Sequence, residues 1–128
     1  MSVAPSVLRA RPVTYQLVIE LSEPLRLAVG RLGTFDFPAG GYVYTGSAKS
    51  GIEARVRRHL RQDKRLHWHI DFLLAAREAR VTATRNSTIS ECLLNQRTAG
   101  MIVASGFGAS DCHSGCGSHL KWFGIGER

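Results

Sequence analysis

No window of the sequence approaches the roughly 18 to 20 consecutive apolar residues that span a bilayer. The opening stretch MSVAPSVLRARP also lacks the long apolar core of a secretory signal. Both absences lead us to expect a cytoplasmic protein with no membrane partner. Cysteine is scarce too. Cys92, Cys112 and Cys116 are an odd number without an export signal, which argues against a disulfide framework and leaves small buried hydrophobes or metal ligands. Acidic side chains are few: 10 Asp plus Glu face 17 Lys plus Arg, a formal charge of +7. Only Lys49, Lys64 and Lys121 are lysine, so 14 of the 17 cations are arginine, whose planar fork pairs bidentately with phosphate and stacks on bases. Nucleic acid is the partner this composition favours. At 128 residues the chain is too short to give two domains a core each.

What is present reads as one α+β domain. Residues 1 to 11 carry Pro5, Arg9 and Arg11 without periodicity and read as a loose lead-in, leaving 12 to 128 as the domain. Val13, Tyr15, Leu17, Ile19 and Leu21 alternate with more polar neighbours, as in a half-buried strand. Ser22, Glu23 and Pro24 turn the chain, and Leu25, Leu27 and Val29 alternate again, so the two segments are expected to pair as a hairpin. A turn-rich connection holding Gly33, Pro38, Gly40 and Gly41 leads to a strand at Tyr42 to Thr45, ended by Gly46. Ile52, Val56 and Leu60 then set the buried stripe of a helix, with Arg55, Arg58 and His59 along one flank and Arg57 and Arg61 further round. A second helix is expected over His67 to Ala76 and a strand over Ala79 to Arg85. Another helix starts at Ser87 or Thr88 and runs to about Thr98, closed by Gly100. Met101 to Gly106 is a further strand candidate, and GFGASDCHSGCGSHL reads as loop. The order predicts a small, mostly antiparallel sheet flanked by helices.

Several groups of residues could carry chemistry. A phenol at Tyr42 or Tyr44, a close-approach glycine at Gly46 and an arginine one helical turn onward at Arg55 could surround a phosphodiester. The arginine would hold the non-bridging oxygens, and a tyrosine hydroxyl would orient or deprotonate water. The plainer reading is a strand, a turn and a basic surface helix. Glu91 has capping-box spacing from Thr88, its commoner use. It could instead be a lone carboxylate ligand for Mg2+, an ion that keeps most of its waters. His67, His69 and Asp71 alternate, but a joint metal site there needs extended backbone; a first helical turn with Trp68 packing is favoured.

These residues sit in phrases that carry a resemblance. FPAGGYVYTGSA, KRLHWHIDFLL and GFGASDC followed by SHL, in that order, are similar to a compact branch of the GIY-YIG nuclease superfamily often labelled Uri-superfamily endonuclease, over about Val13 to Phe123. The resemblance implies a small three-stranded antiparallel core flanked by helices, here with an added N-terminal hairpin. It also implies hydrolysis of DNA phosphodiesters by water with one divalent ion, Mg2+ or Mn2+. It puts Val13-Thr14-Tyr15 at the first signature triplet and Tyr44-Thr45-Gly46 at the second. Arg55 falls at the catalytic arginine, His59 at a position often filled by histidine or tyrosine, Glu91 at the metal-binding glutamate and Asn95 at a supporting polar position. The first triplet departs from the usual pattern and lies far from Tyr44, which leaves open whether Tyr15, Tyr42 or Tyr44 faces the phosphate.

The expectation is therefore a metal-dependent DNA endonuclease, structure-selective or sequence-tolerant. Catalysis is assigned to Tyr15 or Tyr44, Arg55, His59 and Glu91, with Glu91 on the metal. Gly46, Lys49, Arg57, Arg58, Arg61, His67 and His69 would contact the nucleic acid. The alternative is a catalytically silent nucleic-acid-binding module that grips phosphates with the basic run 55 to 65. Cys112, Cys116 and His119 come close to zinc-ligand spacing, but a second ligand pair is missing unless Cys92 reaches over. A loop shaping the cleft through Asp111, Cys112 and His119 is favoured over a zinc-stabilised adaptor.

Overall fold

Both faces of Thr14–Leu21 (β1) are largely buried, and both of its edges are paired because this strand lies between two others. In the computed structural model, which describes residues 12 to 48, 51 to 109, 112 and 114 to 125, β1 is followed by β2 (Leu25–Val29), β3 (Gly33–Phe37) and β4 (Gly40–Ser47). Next come α1 (Ile52–Leu60), α2 (His69–Leu74), β5 (Ala79–Ser87), α3 (Glu91–Arg97) and β6 (Leu120–Gly124). The lead-in at 1 to 11, Lys49, Asp111 and His113 lie outside the described residues. No helix among the described residues is long and apolar enough to cross a membrane.

The main sheet has the order β5-β1-β4-β6, with antiparallel pairing throughout. The α+β class with a mostly antiparallel sheet is the architecture expected. One pairing differs. β2 pairs with β3 as a separate two-stranded ribbon rather than with β1, because Gly33–Phe37, read as connection, alternates a buried Phe37 and half-buried Phe35 with exposed Thr34 and Asp36. β1 turns instead to β4, with Leu17 opposite Tyr44 and Ile19 opposite Tyr42.

Directly opposed residues share a face, so Tyr15, Leu17, Ile19, Tyr42 and Tyr44 form one apolar surface. Val29, Phe37, Ile70, Leu73 and Phe107 close over it. Each fully buried aliphatic or aromatic side chain contributes about 1.5–3 kcal/mol. The opposite face is polar and buried. Gln16 Nε2 donates to Thr45 Oγ1 at 3.1 Å and Thr98 Oγ1 at 2.8 Å, which fastens the chain leaving α3 to the sheet. The buried Lys121 ammonium donates to the carbonyls of Asn95 and Thr98, satisfying acceptors that the end of α3 leaves over.

Three further expectations are corrected. On α1 the buried positions are Ile52 and His59, with Val56 between them, while Leu60 is half exposed; the helix turns its histidine, not its last leucine, to the core aromatics. α3 begins at Glu91 with Ser90 at its N-cap, so Glu91 stands at the first helical position and not at the third, and Thr88 lies outside the cap. Met101 to Gly106 forms only a single bridge, Met101 to Trp122, and the strand lies at Leu120–Gly124.

α1 and α2 are clamped by Arg58 and Asp71. The carboxylate of Asp71 is fully buried and accepts two guanidinium N–H bonds, at 2.9 and 3.0 Å. It also accepts the backbone N–H groups of His67 and Trp68, capping α2. Burial would raise the Asp71 carboxyl, but these four bonds hold it below the usual carboxylate range. Removing one partner of such a pair leaves a buried charge unanswered. Asp71→Asn should therefore cost about 3 kcal/mol in denaturant unfolding, whereas the exposed Arg26–Asp36 pair should cost under about 1 kcal/mol on Asp36→Asn.

Candidate active site

Where the start of β1 adjoins the end of β4, the sheet opens into a cleft of about 270 Å³. Tyr15 comes from β1, Tyr44 from β4, Arg55 from the first turn of α1 and Glu91 from the first position of α3; all four line it. Tyr15 and Gly46 are opposite each other across the ladder, and the phenol lies over the glycine. A Cβ at residue 46 would sit 2.6 Å from both Cζ and Oη of Tyr15, so only glycine admits the ring. Gly46 is thus buried and packed beneath the tyrosine.

The Tyr15 hydroxyl is 2.7 Å from His59 Nε2. His59 is buried, and burial pushes its pKa down to about 4, outweighing Asp71, so the imidazole is neutral near pH 7. Its Nδ1 is buried without a hydrogen-bond partner among the described residues. An orphaned N–H is rarer and costlier than an orphaned lone pair, which favours the tautomer with the proton on Nε2 donated to Tyr15. The phenolic proton is then free to point into the cleft. Burial raises Tyr15 to about 12 despite the nearby Arg55, and raises Tyr44 further still. Neither tyrosine is a phenolate at neutral pH, so each hydroxyl keeps a proton it can donate. Tyr42 is excluded: its hydroxyl donates to the Pro38 carbonyl at 2.5 Å.

Arg55 donates to the Ser47 carbonyl at 3.1 Å and lies 4.5 Å from the Trp68 ring centroid. Across the cleft, Glu91 is half-buried. Burial opposes its ionisation, but the His119 and Ser47 hydrogen bonds prevail and hold it below the usual range. Its Oε2 is 2.7 Å from His119 Nδ1. Arg55 and Glu91 face one cleft without pairing to each other; the described ion pairs of this region are Arg58 with Asp71 and His119 with Glu91. Asn95, one turn after Glu91, donates to the Ser118 carbonyl and fixes the backbone beside His119.

The proposed phosphate-contacting residues divide. Arg58 is turned inward to Asp71 and the Trp68 ring. Arg57 lies on a separate groove beside β5 with Thr84 and Asn86, and exposed Arg61 is drawn to Asp63. His67 and His69 do line the cleft. His69 Nδ1 accepts the Gly108 N–H at 2.8 Å, and Asp71 is committed to Arg58, so the three do not form a joint metal site.

Sequence reading passed over Ser47, Trp68 and Gly108 as cleft residues. The signal for Trp68 was its place between two histidines. Gly108 has φ +67°, and a Cβ there would meet Tyr44 at 3.0 Å. The cleft's remaining wall is sulfur-rich. Cys92, Cys112, Cys116 and His119 gather with their ligand atoms all within 4.8 Å of one another, so Cys92 does reach over. Backbone N–H groups of Cys116 and Ser114 draw the Cys112 thiol down to about 6, while burial raises Cys92 to about 11.

A small antiparallel α+β domain with a tyrosine, arginine and carboxylate cleft is the class that this fold and site define. Residues 14–127 match the family described as Domain of unknown function DUF123, and the chain belongs to that family. No curated protein and no solved structure matches it.

Two outcomes follow from the Tyr15 packing. Gly46→Ala should displace the phenol and cost about 1–3 kcal/mol by overpacking, read as a lowered unfolding midpoint with altered tyrosine fluorescence. His59 has its pKa lowered from 6.5 to about 4 in the folded chain, so the unfolded state binds the extra proton between those values. Stability from this group is complete above about pH 6.5 and is lost as pH falls toward 4, by at most about 3 kcal/mol. Thermal unfolding of His59→Gln should show a flatter profile over that window than the parent protein.

Proposed function

We propose that this domain is a metal-dependent endonuclease that hydrolyses DNA phosphodiester bonds, with the GIY-YIG superfamily as its parent group. The observation that carries the reading is a cation and an anion, Arg55 and Glu91, lining one cleft over two buried tyrosines without neutralising each other. A phosphodiester needs a cation for its non-bridging oxygens, and a metal ion needs a carboxylate. The residues present fit one hydrated Mg2+ or Mn2+: Glu91 is ionised, half-exposed to the cleft and the only carboxylate among the described cleft residues, which suits an ion that keeps most of its waters. When bound, the ion would supply charge neutralisation and a water of lowered pKa.

The chain's own groups supply the rest. Arg55, held by the Ser47 carbonyl and stacked near Trp68, would lie against the phosphate and stabilise the charge that develops on its oxygens. Tyr15, its oxygen engaged by His59, directs its proton to the reacting group, and His59 acts as a positioning residue through it. Tyr44 closes the floor. Exposed Arg57 and Arg61 and the rim histidine His67 would meet the flanking backbone, reading shape and charge rather than sequence.

The test is a cleavage panel over single-stranded, duplex, flap and branched DNA with and without added Mg2+ or Mn2+. Arg55→Ala should slow cleavage by about 10²–10³-fold. Glu91→Gln, which keeps an acceptor for His119 but loses the charge, should remove metal-dependent cutting while folding is retained. Salt-sensitive DNA binding with no product on any substrate would instead establish a silent binding module.

A further inference from the structure

Three free cysteines in one place call for a reason, and two of them lie in the loop beyond its packed anchors Phe107 and Gly108. Between α3 and β6 the described chain forms no regular helix or strand, and it is tied by a few backbone bonds, Gly106 to Gly117 and His119 to Phe107 among them. Cys112 and Cys116 sit in that loop, His119 just before β6, and Cys92 in the first turn of α3. The Cys92 and Cys112 sulfurs are 3.4 Å apart, and Cys92 Sγ is 3.9 Å from His119 Nε2. A tetrahedral zinc with Zn–S of about 2.3 Å and Zn–N of about 2.0 Å has ligand-to-ligand edges of roughly 3.5–3.8 Å. The observed separations bracket that range, whereas a disulfide would need sulfurs about 2.05 Å apart.

The surroundings are those of a ligand set. His119 turns Nε2 to the sulfurs and Nδ1 to the Glu91 carboxylate at 2.7 Å, the relay by which a carboxylate fixes the tautomer of a metal-bound histidine. The Ser114 N–H lies 3.5 Å from Cys112 Sγ, and Gln96 Nε2 lies 3.5 Å from Cys116 Sγ, donors that favour thiolates. Four protein donors leave no open position, the mark of a structural site.

We propose that Cys92, Cys112, Cys116 and His119 hold one zinc ion in a closed site that staples the loop before β6 to the start of α3. Through His119 the same ion fixes the direction of Glu91 in the cleft. The site is independent of the nuclease reading, because metal content is measured without DNA.

Protein purified under reducing conditions without chelator should contain one zinc per chain by elemental analysis, and Cys112→Ser and Cys116→Ser should each lose most of it. Because those variants could unfold, Co2+ is also exchanged into the parent protein, where the intense visible bands of a tetrahedral thiolate site are expected. Glu91→Ala should weaken zinc by about 10–100-fold in competition with a colorimetric chelator, and Glu91→Gln should keep one zinc per chain. Loss of cleavage with zinc retained bears on the cleft alone. Three titratable thiols with no bound metal, iron in place of zinc, a Cys92–Cys112 disulfide, or octahedral Co2+ would overturn the proposal.

Discussion

The missing side chain at Gly46 governs the geometry of the cleft. β1 and β4 are in register so that Tyr15 faces residue 46, and the phenol can lie across the ladder only because nothing projects from that position. From there its hydroxyl reaches His59 on α1, which sets how α1 sits on the sheet. That in turn directs Arg55, one turn earlier on the same helix, to the cleft rather than to solvent. Any side chain at 46 would lift the ring and break this sequence of contacts at its first step. The histidine gives up its charge to remain there, and the cost of an unpaired ring nitrogen is tolerated at the same spot.

The arginines of α1 serve different ends although the sequence presents them as one run. Arg58 is held by the buried Asp71 and by the Trp68 ring, so its charge is consumed within the fold. Arg55 touches the other side of the same problem. It stacks near Trp68, donates to the Ser47 carbonyl and lies within hydrogen-bonding reach of Tyr15, which leaves its charge unpaired with any described carboxylate. Arg57 and Arg61 project outward. Spacing alone could not sort them, since the sorting depends on Asp71, thirteen residues beyond Arg58, being brought back by the turn into α2.

Much of the fold was legible because it follows local periodicity: β1, β4, α1 and β5 lie where alternation or a helical stripe put them. What was not legible depends on long-range partners. The β1–β2 hairpin failed because β3 hid in a glycine-bounded segment, and β3 competes for β2. The capping box failed because Glu91 is drawn to His119, 28 residues away, where a buried imidazole outweighs a local N–H. Spacing could name Cys92 only as a conditional partner for Cys112 and Cys116, 20 or more positions away, because the meeting depends on how α3 packs beside the loop. The residues drawn from family resemblance fared differently by type. Tyr15, Tyr44, Arg55 and Glu91 do meet in one cleft, while Gly46 and Arg58 serve the fold beneath it.

Glu91 sits where two demands meet, and the order in which they are satisfied matters. Its Oε2 answers His119, and the Ser47 hydroxyl steadies the group from the end of β4, so the carboxylate is fixed from α3, from the chain before β6 and from the sheet at once. A carboxylate with that many donors is ionised but poor in further protein partners. An incoming cation would therefore find one firm oxygen and water for its other positions. That limits the ion to one that tolerates sparse protein ligation, and disfavours Ca2+, which takes six to eight oxygens from flexible cages. Arg55 across the cleft is similarly fixed and similarly unanswered. A ligand that satisfies both must carry negative oxygens on one side for the guanidinium and others for a cation on Glu91. In the endonuclease reading proposed above, a phosphodiester bridging the two would meet that requirement with its pair of non-bridging oxygens.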